Sequence, residues 1–324
     1  MTYSPSSSLP EEPLAESSRR AYARDLAYFW VWSDLRFPES KRQMPVNDAV
    51  VLTFLEEHAR GLEQPLLDRL VAAGVRRKRE RFRFSTLYRK LIALSRAHDE
   101  GGHSSPLTHP KVKRELARIK RYLKREGLGV QQKEPITGDI LAWLLMAVPK
   151  TGLRGKRDRA LLLVAFHGGG RRRSELAAMK AEHLRLANKG YHLKVPFSKR
   201  DQVGRGQTIP IYGAAYRALK AWLAAAGIGS GAIFRPISRS GEVLPRALSD
   251  RAIYNLVRTY ALRAGLDGSR FSPHSLRSGF ITEACRQRVS IRDIMQLSGH
   301  RDLRGLEPYI REGEIEHNPA SSLR

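Results

Sequence analysis

The stretch SPHSLRSGFITEACRQRVSIRDIMQLSGHRDLRGLEPYIR, residues 272–311, carries the most informative pattern in the chain. Helices are expected over 272–288 and 290–297. His274 and Arg277 stand three apart, so they share one helical face. Leu297-Ser298-Gly299-His300 ends the second helix, and Tyr309 follows His300 by nine positions. Each piece alone is weak. A His and an Arg three apart decorate many helix surfaces, Gly299-His300 reads as a helix end, and a lone tyrosine is usually a packing residue.

Upstream, strands are expected at 191–196 and 208–211, joined by the polar, glycine-bearing 198–207, with a third short strand at 232–236. Helices are expected over 214–226 and 249–264. The run Ala160 to Phe166 is apolar on all sides, which predicts a central, buried helix. It leads into Gly168-Gly169-Gly170-Arg171-Arg172-Arg173-Ser174-Glu175-Leu176. The glycines lack the G-x-x-x-x-G-K-[ST] spacing of a nucleotide-binding loop, so that reading is rejected. Thr137 or Asp139 caps a further helix carrying Ile140, Leu141, Leu144 and Leu145.

The first part of the chain reads as helices alone. Tyr22, Leu26, Phe29 and Trp30 share a face after Ser17 and Ser18. Asn47 and Asp48 open a second helix with Val51, Phe54, Leu55 and His58. A third begins at Ser85 with Leu87, Leu91 and Leu94. Pro110 suits the first turn of a fourth, whose buried stripe is Val112, Leu116, Ile119 and Leu123. Its other faces are almost wholly basic, with Lys111, Lys113, Arg114, Arg118, Lys120, Arg121, Lys124 and Arg125, as a DNA-facing helix requires. Six of the eight residues in 76–83 are basic, either a phosphate-gripping loop or the start of the third helix. Glycines and the loss of periodicity mark a linker. The expected organisation is a flexible tail over 1–16, a helical DNA-binding domain over 17–127, a linker over 128–134 and a second domain over 135–324. The fold class is mainly α with a small antiparallel β-sheet in the second domain.

Composition narrows the partner. With 58 Lys+Arg against 32 Asp+Glu, the net charge is +26. Nucleic acid is the natural partner, because each phosphate neutralised releases counterions. The single cysteine, Cys285, excludes an internal disulfide and a cysteine-rich zinc site, and it fits a reducing cytoplasm. No run of 18 apolar residues exists, so no membrane span is expected. The N-terminus lacks the pattern of a secretory signal.

Cutting a phosphodiester without a metal needs a nucleophile, cations at the non-bridging oxygens and an acid for the leaving oxygen. The chain offers those types in four places: the arginine run, Ser198-Lys199-Arg200-Asp201-Gln202, His274-x-x-Arg277, and Gly299-His300 with Tyr309. In order and spacing they resemble the tyrosine recombinase family of phage integrases, Cre and the Xer recombinases. His274 lies 26 positions before His300, and Arg172-Arg173-Ser174-Glu175-Leu176 matches that family's arginine-x-Ser-Glu-Leu box. The match covers most of the chain and is specific mainly in its second half, the first resembling a core-binding domain.

The resemblance implies roles. Tyr309 is the nucleophile and becomes joined to a DNA 3′ end. Arg172 and Arg277 hold the non-bridging oxygens, Lys199 protonates the 5′ leaving oxygen, His274 assists proton transfer at the tyrosine, and His300 donates to the phosphate. Glu175 orients the site. No metal, cofactor or ATP is required. The partners implied are double-stranded DNA with inverted-repeat core sites and a homotetramer spanning two such sites, in the cytoplasm. Arg171 and Arg173 leave the arginine register open by one residue, and Lys194 and Arg205 compete with Lys199. Pro308 restricts the backbone of Glu307. Related chemistry is that of a type IB topoisomerase, and a non-catalytic DNA-architectural protein is the reading without chemistry.

Overall fold

A computed structural model describes residues 16–129, 132–195 and 206–314. The chain forms two compact units, Met1–Gln132 and Lys133–Arg324. Among the described residues no helix is long and apolar enough to cross a membrane.

The first unit is helical: α1 (Glu16–Arg36), α2 (Asp48–Arg60), α3 (Gln64–Ala72), α4 (Phe84–Glu100) and α5 (Pro110–Arg125). The expected stripes of α2, α4 and α5 are buried as their spacing requires. On α1 the buried face is rotated from the one expected. Asp25, Tyr28, Phe29 and Trp32 point inward, while Tyr22, Leu26 and Trp30 are only partly covered. An inward aspartate hid this register. Asp25 is compensated by Lys90 at 3.0 Å and Arg89 at 2.6 Å, as a buried charge must be. Helix α3 was not expected. Its signal was Pro65 in the first turn followed by Leu66, Leu67 and Leu70.

The basic 76–83 segment is a loop, since α4 begins at Phe84. Arg76 in it is no phosphate contact. It is 6% exposed and donates to the Tyr28 hydroxyl at 2.9 Å and to the Lys78 and Glu80 carbonyls at 2.8 and 2.6 Å. The span expected as a linker is anchored at both ends. Leu128 is bound to Phe84 N through its carbonyl within the first unit, and Glu134 N donates to the Arg270 carbonyl within the second.

The second unit contains α6 (Gly138–Ala147), α7 (Gly152–His167), α8 (Arg173–Ala178), β1 (Leu184–Ala187), β2 (Gly190–Val195), β3 (Gln207–Tyr212), α9 (Gly213–Ala225), α10 (Asp250–Arg263), α11 (Pro273–Arg286), α12 (Ile291–Ser298) and α13 (Glu307–Glu314). Every residue from Ala160 to Phe166 of α7 is buried, and this helix is the axis of the core.

The sheet is antiparallel in the order β1-β2-β3. Its third strand is not the expected 232–236, which makes only an isolated bridge from Ala232 to Lys180. Ile233 and Phe234 are buried there by the core, with Trp222 Nε1 donating to the Ile233 carbonyl at 2.8 Å. The third strand is β1, turned onto β2 through Asn188 and Lys189, with Ala187 opposite Gly190. Strand β1 has only four residues, Leu184-Arg185-Leu186-Ala187, too short a stretch for its alternation to mark a strand.

Candidate active site

Four segments of the second unit meet at one corner. The loop after α7 brings Arg171 and Arg172, α11 brings His274 and Arg277, the end of α12 brings His300, and α13 brings Tyr309. Gly169 and Gly170 make the approach possible. Both have positive φ (+91° and +68°), and a Cβ on Gly169 would stand 2.3 Å from the Leu297 carbonyl oxygen. A Cβ on Gly170 would stand 2.5 Å from the Arg277 Cα. These glycines let the arginine loop touch α11 and α12 directly.

The three arginines of the run take different positions. Arg171 is 2% exposed and faces the interior. Arg173 turns outward to Asp250 at 3.4 Å. Arg172 lies between them, at the N-terminus of α8, and lines a cavity of about 300 Å³ with Arg171, Glu175, Gln207, Ser298 and His300. Glu175 accepts from both the Arg172 backbone N–H (3.2 Å) and its Nη1 (2.7 Å). One carboxylate therefore fixes this side chain and caps the helix.

Arg277 is buried in α11 and donates through Nη1 to the Gly170 carbonyl at 2.9 Å. Its Nη2 lies 3.2 Å from the His300 ring nitrogens, and the Ser298 hydroxyl is 2.7 Å from His300 Nδ1. Burial, then the neighbouring Arg172 and Arg171, push the Arg277 guanidinium down to about 9. The corner thus gathers positive charge that repels itself, an arrangement an anion would relieve.

Tyr309 is carried on α13. Leu306 just ahead of this helix, Tyr309 and Ile310 pack onto Ile281, Ala284, Cys285 and Ile294. The Tyr309 hydroxyl lies 3.2 Å from His274 Nε2. Burial, aided by Arg277 and Arg172, holds the His274 imidazole below its ordinary range, which favours its unprotonated form. Pro308 is the second residue of α13, where its fixed φ suits a first helical turn. Lys199 and Arg205 lie outside the described residues, between β2 and β3. Lys194 is described, exposed on β2.

A sequence model of the phage integrase family matches residues 142–314, just over half of the chain and all of this corner. The chain belongs to the phage integrase family. Its similarity to tyrosine recombinases extends further along the sequence. The integrase/recombinase XerD homolog of Selenomonas ruminantium is 30% identical over 314 residues, covering 94% of this chain and 84% of that one. Tyrosine recombinase XerC of Pseudomonas entomophila is 30% identical over 240 residues, covering 68% and 73%.

Solved structures agree in fold. XerH site-specific recombinase bound to a palindromic difH substrate matches with TM-score 0.62 at 16% identity, over 94% of this chain and 79% of that chain. The Tn1549 transposon integrase in complex with transposon right-end DNA matches with TM-score 0.60 at 12% identity, over 95% of each chain. In this phage integrase family member, sequence reasoning had missed two supports of the site, the Ser298 hydroxyl on His300 and the side chain of Gln207. The Gly169-Gly170 pair was visible, but its close approach to other backbone was not.

Proposed function

We propose that this protein cuts and rejoins double-stranded DNA at specific sites through a covalent 3′-phosphotyrosine at Tyr309. The observation that carries the reading is the Tyr309 hydroxyl on His274 in the same corner as Arg172 and Arg277. The phenolic oxygen attacks the scissile phosphorus, and its proton passes to His274 Nε2. Arg172 and Arg277 hold the non-bridging oxygens and offset the charge that grows there, with His300 as a further donor. The bond from phosphorus to the 5′ oxygen breaks, and Lys199 supplies the proton that leaves a 5′ hydroxyl. A 5′ hydroxyl from another strand reverses the step. The phosphotyrosine keeps the bond energy, so rejoining draws on no nucleotide.

The first unit serves as a DNA-binding domain through the basic faces of α5. On this reading the active assembly is a homotetramer on two sites with inverted repeats, working in the cytoplasm on the bacterial nucleoid. The test is a cognate substrate nicked beside the cleavage point, with excess EDTA and no nucleotide. A protein–DNA adduct that survives denaturation is expected, with a free 5′ hydroxyl on the released strand. Failure of a DNA-bound protein to form it would overturn the proposal.

A further inference from the structure

Arg171 has no part in the chemistry above; it is buried, at 2% exposure, at the back of the cavity that Arg172 lines. Its guanidinium is nevertheless heavily engaged. Nη1 donates to Gln207 Oε1 at 3.1 Å and lies 3.6 Å from Glu175 Oε2. Nη2 donates to the carbonyls of Gly169, at 3.3 Å, and Leu297. Burial pushes its pKa down, and Glu175 opposes that shift.

Its partners are informative. The last carbonyls of a helix have no partner within it. In α12 the Met295 carbonyl is taken by Gly299 N at 2.8 Å and His300 N at 3.2 Å. Those of Gln296 and Leu297 are taken by side chains from elsewhere: the Gln207 amide donates to both, and Arg171 donates to Leu297. A cation at a helix C-terminus is also favoured by the helix dipole. Directly beyond this capped turn Gly299 adopts a left-handed φ of 72°, and His300 follows. Gln207 is the first residue of β3, so it also ties that strand to the end of α12.

We propose that Arg171 is a positioning residue for strand cleavage, acting through the Leu297 carbonyl and Gln207 to set His300 against Arg277. One buried cation then joins the arginine loop, the end of α12 and the start of β3. This inference rests on the catalytic reading above.

The experiment measures single-turnover adduct formation on a nicked substrate, together with DNA affinity. Arg171→Met and Gln207→Met each slow the adduct about a hundredfold, the scale for misplacing a reacting group by about 1 Å, while affinity is unchanged. In a His300→Ala background Arg171→Met adds no further loss, because residues acting through one another are not additive. A wild-type rate in Arg171→Met, or losses that multiply in the double variant, overturns the proposal. Should Arg171→Met fail to fold, Gln207→Met, at a partly exposed position, decides the question in the same His300→Ala comparison. Absence of adduct from the wild-type protein would instead sink the underlying catalytic reading. An adduct that forms at full speed in the variants sinks only the role of Arg171.

Discussion

On the proposed mechanism, His274 is the residue whose environment bears most directly on proton transfer. Desolvation and two arginines hold its pKa below 6.5, so it keeps an acceptor for the Tyr309 proton at neutral pH. The sign follows: the active form is the unprotonated one, present above the depressed pKa and lost as pH falls through it. Adduct formation is therefore expected to decline on the acid side at a lower pH than an ordinary imidazole would impose. His274→Gln should slow the step by about 10²–10⁴, the usual range for general base catalysis, and flatten the acid limb. A decline that begins above pH 7 and survives in His274→Gln would remove His274 from this role. Arg171 and Arg172 show a second property of single residues. Two adjacent arginines meet Glu175 differently, Arg172 from the wet side and Arg171 from the core.

Among the elements, α5 has the clearest division of faces. Val112, Leu116, Ile119 and Leu123 are buried, and Lys111, Lys113, Lys120 and Lys124 are exposed. Arg118 differs from its basic neighbours. It is held by Glu115 at 2.8 Å and Glu56 at 3.0 Å, so its charge is already answered. Lys113→Ala or Lys120→Ala should weaken DNA binding and reduce the slope of log affinity against log salt by about 0.9 each. Arg118→Ala should change the slope far less. Titrations at several salt concentrations check this, and equal effects at all three positions would contradict it. The same element shows what sequence discloses. Its apolar stripe has helical period and could be read directly, as could the all-round apolar core of α7. Strand β1 could not, because it is only four residues long. Helix α13 could not, because it is short and holds Pro308 and Gly313. Among the proposed site residues, His274 and Arg277 share a face of α11, as their spacing of three in the sequence requires. The Arg171–Gln207–Leu297 clasp was hidden, because its members are 36 and 126 positions from Arg171.

At the scale of the molecule, two units with separate cores respond to acid differently. In the first, His58 is buried among Tyr28, Phe54 and Phe82. Its Nδ1 donates to the Phe54 carbonyl at 2.7 Å, and Nε2 accepts from the Tyr28 hydroxyl at 2.8 Å. Burial pushes its pKa down to about 3, from 6.5 in the unfolded chain. The unfolded state thus binds the extra proton between those values. Stability from this group is intact above about 6.5 and declines as pH falls, by about 1.4 kcal/mol per pH unit. Hydrogen exchange of α2 and α4 amides between pH 6.5 and 4.5 should show that slope. His58→Gln should lessen it in the first unit and leave the second unit's acid response unchanged. An unaltered slope in the variant would contradict the burial of a neutral His58.

All of this converges on one bond, between Tyr309 and DNA. The direct measurement is to trap the adduct on a nicked substrate, digest it with nuclease and trypsin, and locate the nucleotide remnant by mass spectrometry. Cleavage after Arg304 and Arg311 isolates Gly305-Leu306-Glu307-Pro308-Tyr309-Ile310-Arg311. The account predicts a 3′-phosphonucleotide on that peptide, attached at Tyr309. A remnant on any other residue, Tyr191 or Tyr212 for example, would contradict it.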